Sequence, residues 1–313
     1  MITDIDNTKL VVSPQPHIRS KITTTRIMLN VIIALMPSVV CSVIIFGWDA
    51  LLVTAVTVAA CVLCEFLWCV LRKEKNTIPD LSAVVTGILL AFNLPDTIPL
   101  YIPVIGAIIA IIVTKELFGG IGKNFANPAI VARIALAISF TSQMTSYSYP
   151  SQIVQMDALS SATPLAVVDE SIPIADLLFG THGGVIGETC AAALLLGLIW
   201  LLATRTIEIT IPLFYVGTVA LFSLVTGHNV VNEILSGGLL LGAIFMATDY
   251  TTSPFTRRGK IIFGIGLGLI TCLIRFWGNM NEGVSYSILL MNLLVPYINS
   301  KTRNVPLGGA AKK

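Results

Sequence analysis

Apolar residues run along this chain in long blocks, and polar and charged residues gather in the gaps between them. A bilayer core takes about 20 apolar residues per helix. The blocks supply ten such segments: 26–47, 51–71, 79–95, 98–114, 126–140, 185–203, 209–226, 234–248, 261–277 and 284–300. The third, fifth and eighth are short. Helices are the expected form, because a backbone in lipid must satisfy its own hydrogen bonds. The pattern predicts an all-α polytopic membrane protein with ten transmembrane helices.

Composition narrows this further. Of 313 residues, 55% are hydrophobic and 12% charged, with mean hydropathy +0.87. Soluble domains carry about 25% charged residues, so there is too little polar surface for a soluble chain, and far too much apolar content for a disordered one. A net charge of +2 leaves no electrostatic footprint for nucleic acid. Residues 1–25 are polar and lack the apolar run of a signal peptide, so no cleaved leader is expected. Cys41, Cys61, Cys64, Cys69, Cys190 and Cys272 all lie within apolar segments, unlike the disulfide framework of a small secreted domain.

Lys and Arg orient the spans. With the N-terminus in the cytoplasm, every one of the 19 basic residues except Arg133 and Arg275 falls in an inside segment. These segments hold Lys9, Arg19, Lys21 and Arg26, then Arg72, Lys73 and Lys75, then Lys115 and Lys123, then Arg205, then Arg257, Arg258 and Lys260. The tail holds Lys301, Arg303, Lys312 and Lys313. The expected organisation in the cell membrane is a cytoplasmic tail 1–25, a five-helix repeat 26–140, an external loop 141–184, a second repeat 185–300 and a cytoplasmic tail 301–313. The external loop is the longest connection, and loops of such length are functional or unstructured. Its apolar stretches Thr163–Val168 and Ile172–Phe179 predict that it folds back onto the membrane surface.

The halves resemble each other. The third span of one reads Thr86-Gly-Ile-Leu-Leu-Ala-Phe-Asn-Leu-Pro-Asp96, and that of the other reads Ser236-Gly-Gly-Leu-Leu-Leu-Gly-Ala-Ile-Phe-Met-Ala-Thr-Asp249. Five spans per half invert the second relative to the first. Short, Gly/Pro-interrupted segments at matching places in inverted halves point to a binding site. One polar site per face is expected. The outer gathers Asn93, Asp96, Asn279 and Asn281; the inner gathers Lys123, Asn124, Asn127, Thr248, Asp249, Thr252 and Ser253. The alternative is that these residues only cap broken helices.

Familiar catalytic motifs are missing. There is no HExxH, and His17, His182 and His228 are scattered, which does not suit zinc or haem. Gly119-Gly-Ile-Gly-Lys-Asn124 has no Ser or Thr after its Lys, so it is not a phosphate loop. Gly264, Gly266 and Gly268 inside a span suit close helix packing. Cys61-x-x-Cys64 sits on one span, where membrane-buried cysteine acts as a small hydrophobe, and a redox or cluster role is the alternative. Glu65 differs. A carboxylate inside an apolar span is costly and is a functional hypothesis by default, here for an ion path. The alternative is a buried carboxylate paired with Arg133 or a backbone group.

On its residues alone, Thr163 in Ser160-Ser161-Ala162-Thr163-Pro164-Leu165-Ala166 is a loop hydroxyl before proline, a turn or an N-cap. The Ser-x-Ala-Thr string, on a long outer loop after five spans, resembles the flavinylation site of the RnfD / NqrB family. These are membrane subunits of the Rnf complex and of the sodium-translocating NADH:quinone reductase. Gly119-Gly-Ile-Gly-Lys-Asn-Phe-Ala-Asn-Pro-Ala129, with Arg133 in place, is similar to the family's Gly-rich Asn-Pro-Ala segment. Phe245-Met-Ala-Thr-Asp-Tyr-Thr-Thr-Ser-Pro254 is similar to its second signature. Ser161 stands where Gly is common, which leaves the acceptor threonine untouched. The short N-terminal tail resembles the RnfD side of the family.

The resemblance implies two inverted five-helix repeats. It implies FMN joined through its phosphate to the Thr163 hydroxyl on the outer face, among Ser160, Ser161, Ala162 and Pro164, and installed by a flavin transferase. It also allows a non-covalent riboflavin, for which Asn124, Asn127, Arg133, Thr248, Asp249, Thr252 and Ser253 are the expected seat. The implied complex passes electrons between ferredoxin and NAD and moves Na⁺ or H⁺. The ferredoxin, NAD and iron–sulfur sites then belong to other membrane and peripheral subunits. Two rival classes remain open from the sequence: a solute channel or transporter, since inverted five-helix repeats build those too, and a structural membrane anchor.

Overall fold

The computed structural model describes residues 22–73, 76–147, 173–180, 182–278 and 283–303, and every regular element among them is helical. A helical segment occupies each of the ten expected spans. These are α1 (Thr24–Phe46), α2 (Trp48–Arg72), α3 (Ser82–Ala91), α4 (Tyr101–Ile108, continued by a π-helical stretch Ile109–Lys115) and α5 (Pro128–Ser139) in the first half. The second half holds α6 (Ala191–Ala203), α7 (Thr210–Thr226), α8 (Leu239–Leu241, continued by a π-helical stretch Gly242–Met246), α9 (Arg257–Trp277) and α10 (Val284–Thr302). Helices α1, α2, α9 and the continuous helix Tyr101–Phe118 are long and apolar enough by themselves to cross a bilayer. The spans expected to be short give the short helices α3, α5 and α8. The fourth departs from expectation: its helix continues through Lys115, which thereby leaves the loop assigned to it.

The same packing recurs in both halves. Helix α2 lies on α3 and α4, and α4 with its π-helical stretch lies on α5. In the second half α7 lies on the π-helical part of α8 and on α9, and α9 lies on α10. Across the halves α1 packs on α6 and α5 on α10. Glycines bring α7 and α9 together: a Cβ at Gly264 would meet Phe214 Cβ at 2.9 Å, and one at Gly268 would meet Thr218 Cβ at 2.5 Å.

The third helix of each half is broken. Helix α3 starts after Leu81 (φ 64°) and α8 after Gly238 (φ 66°), both left-handed. Their C-terminal ends face each other in the interior, where Asn93 Nδ2 lies 3.9 Å from Met246 Sδ. Backbone groups freed beyond α3 find partners in the other half. The Gly187 N–H donates to Phe92 O (3.0 Å) and the Ile186 N–H to Leu94 O (3.1 Å). Such closure is what permits irregular backbone at membrane depth. Gly187 is required there, since a Cβ would stand 2.2 Å from Phe92 Cβ.

Candidate functional site

Where α1, α3, α5 and α8 meet, a cavity of about 350 Å³ lies near the end of the bundle that carries Arg72, Arg205 and Arg257. Small-molecule sites span roughly 300–1,000 Å³. Of the residues expected on the inner face, Asn124, Asn127, Thr248 and Asp249 line it. Thr252 and Ser253 are buried but are not among its lining residues, and Lys123 is exposed outside it. The walls are apolar, with Val31 from α1, Leu89 from α3 and Phe245 from α8. Polar lining that the sequence did not indicate comes from Ser82, Thr86, Lys115, Thr206 and Thr251.

Asn127 joins three elements at this cavity. Its Oδ1 caps α5 by accepting from the N–H groups of Ala129 (3.1 Å) and Ile130 (3.5 Å), with Pro128 in the first helical turn. Its Nδ2 donates to Met246 O at 3.3 Å, satisfying a carbonyl at the end of α8. Its own N–H donates to the Asn292 side chain (3.2 Å), whose amide donates in turn to Thr252 O (3.0 Å). The Asp249 carboxylate accepts from Thr251 Oγ1 (2.9 Å) and Thr252 Oγ1 (3.1 Å). The capping reading therefore holds for Asn127, which lines the cavity as well.

Glu65 is fully buried, and its partner is not Arg133. Lys115 Nζ donates to Glu65 Oε2 (2.8 Å) and to Ser82 Oγ (2.7 Å), with Glu116 Oε1 at 3.6 Å. Thr77 Oγ1 donates to the other Glu65 oxygen. Arg133 is engaged elsewhere. It pairs with Glu188 at 3.6 Å, its NH1 donates to Ser285 Oγ (2.6 Å), and it is absent from the cavity lining. Glu188 and Ser285 are buried polar groups that the residue pattern did not single out. The signal existed, since Glu188 is a carboxylate inside an apolar span just as Glu65 is.

Arg275 holds the mouth of α8. Its NH1 donates to Glu233 O (2.7 Å) and Glu233 Oε2 (2.9 Å), and its NH2 to the carbonyls of Ser236 (3.2 Å) and Gly237 (3.0 Å). The outer polar site is changed in one respect. Asn93 turns inward, donating to Leu89 O (2.5 Å), rather than facing outward with Asp96, which is also buried. Asn279 and Asn281 lie outside the described residues. Cys61 and Cys64 pack with Ala60, Ala83, Ala107 and Ile111, which suits small hydrophobes.

The segment bearing Ser160, Ser161, Ala162, Thr163 and Pro164 also lies outside the described residues. The chain leaves them after Tyr147 and returns at Pro173. Helix Ile174–Phe179 packs against α6 and Val230–Leu235, and His182 Nδ1 lies 3.2 Å from Asp176 O. Burial lowers the His182 pKa below the ordinary imidazole value, and burial raises that of the Tyr147 phenol, helped by the charge of Glu188.

Comparison with known proteins covers nearly the whole chain. The profile of the NQR2, RnfD, RnfE family matches residues 11–308. The chain is 46% identical over 301 residues to the D-type component of the Na(+)-translocating ferredoxin:NAD(+) oxidoreductase complex of Acetobacterium woodii, covering 94% of each. It is 38% identical over 317 residues to the D-type component of the proton-translocating ferredoxin:NAD(+) oxidoreductase complex of Clostridium ljungdahlii, covering 95% of this chain and 96% of the relative. It is 33% identical over 339 residues to the D-type component of an ion-translocating oxidoreductase complex of Escherichia coli, covering 93% and 96%.

Proposed function

The chain belongs to the NQR2, RnfD, RnfE family, and from that premise we propose that it is the D-type membrane component of an ion-translocating ferredoxin:NAD⁺ oxidoreductase. The observation that carries this is the near full-length identity to relatives bearing that name. The chain is one part of a translocase and is not catalytically complete alone. Ferredoxin and NAD are handled by partner subunits of the complex.

Electrons cross this protein on flavin. FMN is held as a phosphoester of the Thr163 hydroxyl, placed there by a flavin transferase. In the chain, Thr163 falls between the end of α5 and the start of α6, and the order of helices turns those two ends away from the basic end, which supports an attachment site on the outer face. A hydroxyl suits the linkage because it carries no charge that must be titrated away.

The cavity is the seat of a second, non-covalent flavin. The fit rests on apolar walls able to take a flat ring, a volume within the range of ligand sites, and polar groups from Asn124, Asn127, Thr248 and Asp249 in its lining. Flavin supplies the electron-carrying chemistry. The chain's residues bind it, exclude water and set the charge around it. Glu65, buried beside the cavity and paired with Lys115, is the carboxylate of the ion path.

The test uses the complex from its native host, denatured on a gel and viewed under ultraviolet light, with mass analysis of peptides from 141–184. The expected result is a fluorescent band and the mass of FMN less water on Thr163, both lost in Thr163→Val. An unmodified Thr163 in natively expressed protein, or covalent flavin retained in Thr163→Val, overturns the assignment. The first of these outcomes favours a solute channel.

A further inference from the structure

We propose that Lys115 couples charge in the cavity to cation occupancy at Glu65. The ammonium stays on Glu65 while the cavity's contents are neutral, and swings to the cavity when one electron arrives there. The Glu65 carboxylate is then left to take up one Na⁺ or H⁺. This rests on the reading of the cavity as a flavin seat and of Glu65 as part of the ion path.

The placement of Lys115 carries the argument. Its side chain is 3% exposed and Glu65 is 0% exposed, so neither charge is relieved by water. Lys115 and Ser82 line the cavity, whereas Glu65 does not. Lys115 thus touches both compartments, through Nζ contacts of 2.8 Å to Glu65 and 2.7 Å to Ser82. Ser82 Oγ, itself donating to Asp80 Oδ1 at 2.6 Å, offers a stepping point between them. The residue ends a π-helical stretch, a geometry frequent at functional sites. A lysine ammonium is a compact charge on a flexible stem with three donors, which suits a group that exchanges partners.

The charges balance. Before the electron arrives, Lys115⁺ neutralises Glu65⁻. Afterwards Lys115⁺ neutralises the added electron, which the ferredoxin-oxidising chain of the complex supplies, and the incoming cation neutralises Glu65⁻. A buried carboxylate left unpaired is strongly unfavourable, so departure of Lys115 makes Glu65 bind a cation. When the electron leaves, the ammonium returns and displaces that cation. The other titratable or charged groups facing this pair are Glu116 at 3.6 Å from Lys115, Asp80 behind Ser82, Cys61 and Cys69 on α2, and Asp249 and Tyr250 in the cavity lining. Asp249 is already held by two threonine hydroxyls.

Coupling of this kind is reciprocal, so the cation must raise the potential in the cavity. A tenfold rise in cation concentration then shifts the one-electron potential by about 59 mV. The experiment takes the purified complex, measures the flavin released by acid extraction, and titrates the potential of that flavin. One series varies Na⁺ at fixed pH and another varies pH without Na⁺. Wild type is expected to show the full slope with one of the two cations. Lys115→Met is expected to retain extractable flavin and lose the slope, and Lys115→Arg to keep most of it. A slope that persists in Lys115→Met overturns the proposal. So does wild type with bound flavin and a flat slope, whatever the variants do. Wild type without extractable flavin overturns the reading of the cavity itself, a failure distinguishable from the other two.

Discussion

Replacing Arg275 by methionine removes the fastening at the mouth of α8. The guanidinium is 2% exposed and Glu233 is 13% exposed, so the pair is largely shielded from water. Three further acceptors, the carbonyls of Glu233, Ser236 and Gly237, depend on the same side chain. Breaking a buried pair by removing one partner costs about 3–5 kcal/mol, because a desolvated charge is left behind. At about 2–4 °C per kcal/mol, the figure for chains approaching this size, the unfolding midpoint falls by roughly 6–20 °C. The protein's own buried cysteines, Cys61, Cys64, Cys69, Cys190 and Cys272, allow the assay. A thiol-reactive fluorogenic dye reports their exposure as the full chain is heated in detergent. Adding Glu233→Gln to Arg275→Met should recover much of the loss, since it removes the orphaned charge and leaves only the carbonyls uncapped. Arg275→Lys should recover little, because an ammonium cannot span the acceptors that the fork reaches. A midpoint within 2 °C of wild type for Arg275→Met, on the scale of about 1 kcal/mol or less, would refute the reasoning.

Two further outcomes are expected. Gly187→Ala drives a methyl into Phe92 and parts the Gly187–Phe92 backbone bond, an overpacking cost of about 1–3 kcal/mol. Faster amide exchange at 186–187 with a lowered midpoint would check it, and an unchanged midpoint would count against it. Glu65→Gln should lower coupled ion transport in proteoliposomes of the whole complex by roughly tenfold, with the covalent flavin proposed at Thr163 unaffected. Unchanged transport would remove Glu65 from the ion path.

The helical segments and their order were readable in the sequence because hydropathy is a local quantity: a block of apolar residues either fits a helix in lipid or does not. The broken third helices were readable for a related reason, since Gly237 and Gly238 before α8, and Asn93-Leu-Pro after α3, interrupt the blocks where they stand. Part of the cavity's polar lining was legible too, because Asn124, Asn127, Thr248 and Asp249 are polar interruptions that the inverted halves put on one face. Partnership among the buried charges was not. Lys115 read as a loop cation, because a basic residue beside a span end is ordinarily in water, yet the π-helical extension of α4 carries it inward to Glu65. Arg133 read as a neighbour of Glu65 or of the inner site, yet its place on α5 turns it to Glu188 and Ser285. Whether a helix carries on by one more turn, and which face it presents, depends on packing between segments distant in the chain. A single sequence records each segment's own preference for lipid, whereas which buried charge neutralises which is settled only when the helices have docked and water has gone.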